Sequence, residues 1–340
     1  MDNPLVSIII PVYQVSDYIE RCLESVISQT YSNIECILVN DATKDDSIDK
    51  CEKLIAEYEG AIHFSIINHQ RNRGLSAARN TGIDASTGGY LYFLDSDDYI
   101  TPNCIETMVS IVKEDDSIEM VQGNYLKITG DEEVLGNSEN VRILSNDEAR
   151  DYFLNRRVIN NFVWNKLLKK SFIIDNGLYN EEGIILEDLL WISYVIKCLG
   201  KAVIINALTY YYLLRSGSIM TATDQQKMGR SYAIVYNEIL DNLTTGRECE
   251  ELLGYLYKFC YLVIMYEKSA TELKDVLDKY LTKIRQFCGW KQTAVLYMAG
   301  ILGNFGISPH LVDKLYMSIY KIHFKLKSKD YSGICSYINL

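Results

Sequence analysis

Apolar and polar residues alternate in blocks along the first hundred positions. Residues 6–10 form a short β-branched run between Pro4 and Pro11, the pattern of a strand buried on both faces. A helix is expected from Asp17, with Glu20 three residues on as its capping box. Ile19, Cys22, Leu23, Val26 and Ile27 recur there at helical spacing and give one core-facing stripe. Residues 34–39 predict a second strand ending in Asn40 and Asp41, residues 46–58 a second helix, and residues 62–67 a third strand ending in Asn68. Residues 75–85 predict a third helix closed by Gly88 and Gly89, and residues 90–94 a fourth strand. Strand followed by helix, three times over, implies a doubly wound, mostly parallel α/β sheet flanked by helices.

A polar cluster follows each strand, at residues 11–13, 40–41, 68–74 and 95–98. In a parallel sheet all four meet at one edge, where open α/β sheets bind ligands. The last cluster is the most distinctive. Five apolar or aromatic residues, 90–94, run straight into Asp95, Ser96, Asp97 and Asp98. Three carboxylates this close repel one another unless a cation compensates. Oxygen-only ligands suit Mg²⁺ or Mn²⁺, which keep waters and complete their shell from substrate phosphates. The plainer alternative is an acidic turn, with Asp98 capping residues 99–110. Neither a Gly-x-Gly-x-x-Gly turn nor a Gly-x-x-x-x-Gly-Lys-Ser/Thr loop is present. Diphosphate charge would therefore fall to a metal held by Asp97 and Asp95.

The second half is less regular. Residues 114–150 are acidic and read as a solvated excursion with one strand at 118–122. Trp164 lies among apolar residues at 163–168, the usual setting of a core side chain. Glu187 and Asp188 open an apolar helix at 189–199, where adjacent carboxylates suit the helix dipole. Residues 203–205 and 208–214 read as two closing strands. From 225 onward helices are expected at 225–240, 250–266 and 272–287, with a last one opened by Ser308 and Pro309. In that last helix Leu311, Leu315, Ile319, Ile322 and Leu326 share one face, and Lys314, Lys321 and Lys325 another. Residues 308–329 are thus a candidate peripheral contact with an anionic membrane, the alternative being a helix packed on the rest of the protein.

Composition narrows the classes. At 340 residues the chain has room for one large domain or two ordinary ones, and an apolar share of 48% can build a full core. A net charge of −11 argues against nucleic acid as a partner. Nine scattered cysteines show neither metal-ligand spacing nor a disulfide framework, which fits a reducing cytoplasm. The first apolar run is too short for a signal peptide, and none reaches about 18 residues, the length of a membrane span. The expected location is cytoplasmic, at the inner face of the membrane if the basic helix binds there.

Five motifs now stand in order: Val-Ser-Ile-Ile-Ile-Pro-Val-Tyr at 6–13, Gln-Thr-Tyr-Ser-Asn-Ile at 29–34, Val-Asn-Asp at 39–41, Asn-Arg-Gly-Leu-Ser-Ala-Ala-Arg-Asn at 72–80, and Asp-Ser-Asp-Asp at 95–98. Together they resemble glycosyltransferase family 2 over roughly residues 4–220. The resemblance implies a GT-A-type fold and an inverting, metal-dependent transfer from a nucleotide-diphosphate sugar, UDP-linked by expectation. The acceptor would be a saccharide or lipid-linked saccharide, in bacterial surface polysaccharide synthesis. It implies a nucleotide-sugar-binding half at 1–110, an acceptor and base half at 111–220, and a helical region at 221–340.

Residue by residue, the resemblance places Tyr13 on the base, with Pro11 and Val12 shaping the pocket wall. Asp41 would accept hydrogen bonds from base or ribose, although a strand-ending turn residue is an equal reading. Arg73, Gly74, Ser76 and Arg79 would form the pocket floor; Ser76 as a helix cap and Arg79 in a surface ion pair are the alternatives. Asp95 would face ribose or metal and Asp97 would be the main ligand of Mn²⁺ or Mg²⁺. Asp188 would be the general base, supported by Glu187, while Trp164 and Arg215 would reach acceptor or diphosphate. The family commonly reads Asp-Gly-Ser-Thr-Asp after its second strand, where this chain has Asp41-Ala-Thr-Lys-Asp45. A catalytically silent nucleotide-sugar-binding or scaffold protein is the alternative, which would need the nucleotide pocket but no Asp188.

Overall fold

The structure, a computed structural model, describes residues 3–136, 139–154 and 158–214, together with 231, 234, 235 and 238. The chain divides into two compact units, Met1–Lys227 with Ile234–Glu248, and Met228–Ala233 with Cys249–Leu340. Every element described below belongs to the first. Of the helices expected beyond residue 221, only positions 231, 234, 235 and 238 are described, and these are helical; the other positions, the amphipathic stretch 308–329 and Arg215 lie outside the described residues.

The βα alternation of the first hundred residues folds as its pattern predicts. The elements are β1 Val6–Val12, α1 Ile19–Ile27, β2 Ile34–Asn40, α2 Ser47–Glu57, β3 His63–Asn68, α3 Leu75–Ala85 and β4 Tyr90–Phe93. β1 is buried along its whole length because it runs in parallel between β2 and β4, with β3 beyond β2. The period of two divides its side chains between two layers. Ile8, Ile10 and Val12 join Ile19, Leu23 and Val26 of α1 in the main core, whereas Ile37, Val39 and Ala78 pack on the opposite face beneath α3. α3 approaches β1 so closely that a Cβ on Gly82 would stand 2.3 Å from Ile9. Tyr18, not Asp17, precedes α1, and no side chain caps that helix, so the expected capping box is not formed.

At the strands' amino-terminal edge a buried carboxylate has a purely structural explanation. Glu35 accepts the Ser7 hydroxyl at 2.5 Å, the Thr87 amide at 2.5 Å and the Gly88 amide at 2.9 Å. Burial would raise its pKa, but these bonds outweigh it and hold the group below its ordinary value.

The second half completes the sheet. After β5 Tyr99–Ile100 and α4 Cys104–Glu114 come β6 Met120–Thr129, β7 Glu132–Leu135, β8 Val141–Ile143, α5 Asn146–Leu154, β9 Lys166–Lys169, α6 Lys170–Asp175, α7 Glu187–Cys198 and β10 Ala202–Leu213. The order is β3-β2-β1-β4-β9-β6-β10-β5, with β7 on β6 and β8 on β10. β9 joins the halves, running antiparallel to β4 and to β6. Two expectations are corrected. The acidic stretch 114–150 holds more than the one strand expected at 118–122, because β6 runs from Met120 to Thr129 and turns into β7, although β7 itself is exposed along its length. The two closing strands are one, β10, interrupted by register shifts between Ile204 and Leu208 and between Leu208 and Tyr210.

Candidate active site

The parallel strands bring the four polar clusters to one edge, where the backbone after β2 meets the loop after β3. Asp41 accepts the Arg73 amide at 2.8 Å on Oδ1 and the Gly74 amide at 2.7 Å on Oδ2, while His69 Nδ1 lies 2.7 Å from Oδ1. His69 Nε2 is 2.9 Å from the Thr81 hydroxyl, so the imidazole spans from α3 to Asp41. Gly74 sits at φ +92°, a conformation glycine adopts without strain, and leads directly into α3. Asp41 is therefore chiefly the anchor of the loop between β3 and α3, with His69, Arg73 and Gly74 on its carboxylate. Pro11 and Val12 are buried in β1, and Tyr13 emerges at its end with 39% of its surface exposed. Ser76 is buried in the first turn of α3; half-exposed Arg73 pairs with Glu182 at 3.1 Å.

Arg79 departs from both readings of it. Its side chain is 0% exposed, on neither a surface nor an open pocket floor. Nη1 bonds Asp188 Oδ1 at 2.6 Å and Glu187 Oε1 at 3.4 Å, and Nη2 bonds Asp95 Oδ1 at 3.0 Å. Burial opposes its charge, but Asp188, Asp95 and Glu187 outweigh burial and hold it protonated. One buried cation thus joins the end of β4 to the start of α7.

The segment before α7 is tied onto α3 as well. Asn80 donates to the Asn180 carbonyl at 2.9 Å and accepts the Asn180 amide at 2.8 Å, and the Tyr179 hydroxyl donates to Asp84 at 2.8 Å. Leu186 then takes the left-handed conformation at φ 66°, unusual for a leucine, and turns Glu187 and Asp188 into the first turn of α7. Burial, reinforced by the Asp188 charge, raises Glu187. Burial also pushes Asp95 up to about 6, against the opposing pull of Arg79.

The loop after β4 separates its three carboxylates. The Asp98 amide donates to the Asp95 carbonyl at 3.0 Å, closing a turn. Asp98 itself is buried, with Oδ2 accepting the Tyr210 hydroxyl at 2.7 Å and Oδ1 the Leu213 amide at 2.8 Å. It caps no helix; α4 starts at Cys104. Both of its oxygens are engaged inside the protein; Asp95 and half-buried Asp97 are the carboxylates of this loop that could hold a metal. Among the described residues no group of three or more His, Cys, Asp or Glu side chains is arranged to hold one. A pair of carboxylates still suits Mg²⁺ or Mn²⁺, which take their other ligands from phosphates and water.

Trp164 offers no sugar platform. It is 2% exposed, and the rings of Phe162 and Tyr210 lie parallel to its indole at 4.3 Å each. Next to it Lys166 is fully buried, with Nζ donating to the Phe162 carbonyl at 2.6 Å and to Asn160 Oδ1. Burial pulls its pKa down to about 7, and the Asp188 charge opposes this only in part. Sequence reading gave no role to Tyr210, Lys166, His69 or Asn80, and took Asp98 only as a helix cap. Asn80 and Asp98 carried a signal, as the last residues of the motifs at 72–80 and 95–98.

The chain has clear relatives. It is 31% identical over 283 residues to Glycosyltransferase GlyA of Streptococcus pneumoniae, matching 79% of this chain and 39% of that protein. To the Putative glycosyltransferase EpsH of Bacillus subtilis it is 36% identical over 176 residues, 51% of this chain and 49% of the relative. The chain thus spans less than half the length of these two. Glycosyltransferase GlyG of Streptococcus pneumoniae is 30% identical over 265 residues, 74% of this chain and 84% of its own. Among solved structures, Staphylococcus aureus TarS 1–349 in complex with UDP-GlcNAc shares the fold with a TM-score of 0.71 at 18% identity, over 92% of both chains. A mannosyltransferase from Pyrobaculum calidifontis, in complex with GDP-Man and Mn²⁺, aligns with a TM-score of 0.56 at 12% identity, over 96% of this chain and 88% of that one. The fold is accordingly the GT-A-type α/β arrangement that the motifs imply. Residues 7–176, half of the chain, match Glycosyl transferase family 2, and with GlyG covered over most of its length the chain belongs to that family.

Proposed function

We propose that the chain transfers a sugar from a nucleotide-diphosphate donor, UDP-linked, to a saccharide or lipid-linked saccharide, with inversion at the anomeric carbon. The observation that carries this reading is the meeting of Asp95 with Glu187 and Asp188 around buried Arg79. The donor complexes of the two structural neighbours, UDP-GlcNAc in TarS and GDP-Man with Mn²⁺ in the mannosyltransferase, support the donor class.

The residues divide the work. The loop anchored by Asp41, with Tyr13 beside it, holds the nucleoside. Asp97, with Asp95, would hold Mn²⁺ or Mg²⁺, which when bound neutralises charge on the departing diphosphate. Arg79 fixes Asp188 through Oδ1 and leaves Oδ2 to receive the acceptor's hydroxyl proton. As that hydroxyl oxygen bonds to the anomeric carbon, the bond to the diphosphate oxygen breaks and its electron pair leaves with the nucleoside diphosphate. One carboxylate on the acceptor side suffices for such a direct displacement. The product belongs to a surface polysaccharide or glycolipid. No described helix is long and apolar enough to cross a membrane; peripheral contact through residues 308–329 is part of the proposal.

The test is calorimetric titration with UDP, GDP, CDP and dTDP, in Mn²⁺ and in EDTA, followed by turnover of sugar donors of the preferred base. Metal-dependent preference for UDP and turnover lost in Asp188→Asn is the expected result. Binding without turnover of any donor would favour a silent nucleotide-sugar-binding protein, and no binding by the folded protein would overturn the donor class.

A further inference from the structure

The carboxylate loop after β4 has an unusual clamp. Its residues 95–98 are closed into a turn by the Asp98 amide on the Asp95 carbonyl. A single hydroxyl reaches both ends of that turn. Tyr210 Oη donates to Asp98 Oδ2 at 2.7 Å and accepts the Asp95 amide at 3.4 Å. The Leu213 amide takes the other Asp98 oxygen at 2.8 Å, so β10 grips the loop twice.

Tyr210 is itself immobilised. It is fully buried and pairs with Ile100 across β5. Its ring stacks on Trp164, which stacks in turn on Phe162, whose carbonyl accepts the Lys166 ammonium. Aromatic stacks of this kind hold ring position within narrow limits. A hydroxyl so fixed transmits that position to the loop through two hydrogen bonds. Asp95, Asp97 and Asp98 repel one another and have no intrinsic reason to stay in one arrangement. The clamp fixes the course of the loop that carries Asp95 and Asp97.

We propose that Tyr210 is a positioning residue for the metal- and diphosphate-binding loop, with the Phe162–Trp164 stack as its support. The proposal rests on the donor-binding reading above and names what organises that same site. Tyr210 is fully buried and acts through the Asp95 backbone and the Asp98 side chain.

The deciding variant is Tyr210→Phe, which keeps the ring on Trp164 and removes only Oη. Mn²⁺ binding is followed by the spin-resonance signal of free Mn²⁺ with saturating UDP, UDP binding in EDTA by calorimetry, and folding by thermal unfolding. The expected result is an Mn²⁺ affinity weakened about tenfold, as for the loss of one buried hydrogen bond, with UDP binding in EDTA changed less than about twofold. Ser7→Ala, which removes a buried hydroxyl bond to Glu35 at the far edge of the sheet, should lower the unfolding temperature and leave Mn²⁺ affinity intact. If Tyr210→Phe does not fold, Asp98→Asn is the second variant. Its amide would donate to Tyr210 Oη in competition with the Asp95 amide, and it too should weaken Mn²⁺ binding. Wild-type Mn²⁺ affinity in the folded variants, with the wild-type protein binding Mn²⁺ and UDP, would overturn the role of Tyr210 alone. Failure of the wild-type protein to bind Mn²⁺ with any nucleotide would overturn the donor-site reading and this role with it.

Discussion

Arg79 bonds Asp188 at 2.6 Å and Asp95 at 3.0 Å through the two terminal nitrogens of one fully buried guanidinium. The carboxylate assigned to the donor side and the one assigned to the acceptor side are therefore positioned by the same cation. Planar, two-pronged donation is what arginine supplies and lysine cannot. Arg79→Met should destabilise the fold by about 3–5 kcal/mol, because it leaves buried carboxylates facing one another. Arg79→Lys keeps the charge but loses the fork, and should fold while turning over more slowly. Urea unfolding of both variants, with turnover of the lysine form, checks the pair. A folded Arg79→Met of wild-type stability would refute the electrostatic account.

Asp41 gives a second test, since its carboxylate holds the amides of Arg73 and Gly74. Asp41→Ala should release that loop, speeding amide hydrogen exchange at Gly74 and weakening UDP binding whether or not metal is present. Gly74→Ala should act through the backbone instead, since an alanine at φ +92° is strained by about 1–3 kcal/mol. Unchanged exchange at Gly74 in Asp41→Ala would show that the loop holds itself.

The first half was legible because its signals are local. Gly74 before Leu75 and the glycine pair at 88–89 bracket α3, and the expected span coincides with the observed one. β-branched runs marked β1 and β2 for the same reason. The second half is set by long-range pairing. β6 continues through Asn124, Tyr125 and Lys127 because β10 and β7 pair with it, although those residues show no buried-strand run. The Tyr210–Asp98 bond spans 112 positions, and no local pattern announces it. Motif order singled out Asp95 and Arg79, and the family resemblance Asp188, but nothing local told that Arg79 is buried between these carboxylates.

Trp164 separates core from sugar contact. With Phe162 and Tyr210 on its ring, Trp164→Ala should cost about 3–5 kcal/mol of stability. A sugar platform would instead show as a raised acceptor KM at unchanged stability. Denaturant midpoints and acceptor kinetics on the same preparation distinguish the two.

Lys166 yields a prediction with a sign. Its folded pKa is about 7 against 10.5 for the free side chain, because burial disfavours the ammonium. Between these values the unfolded chain binds a proton that the folded chain has released. Stability therefore rises with pH across the window, and below about pH 7 the penalty for the buried charge is present in full. Lys166→Met removes the group. It also strands the Phe162 carbonyl and Asn160 Oδ1, at a cost that does not vary with pH. Cysteines and tyrosines with raised pKa values work in the opposite direction at high pH, as for Cys36 and Cys104, but they are common to both proteins. The difference between the two proteins isolates Lys166. Relative to wild type, Lys166→Met should be at its best near pH 7 and lose ground steadily toward pH 9, by about 1.4 kcal/mol per pH unit at most. Urea unfolding of both proteins at intervals across that range measures it. A difference that stays flat with pH would mean that Lys166 keeps its proton in the fold, with the Asp188 charge outweighing burial.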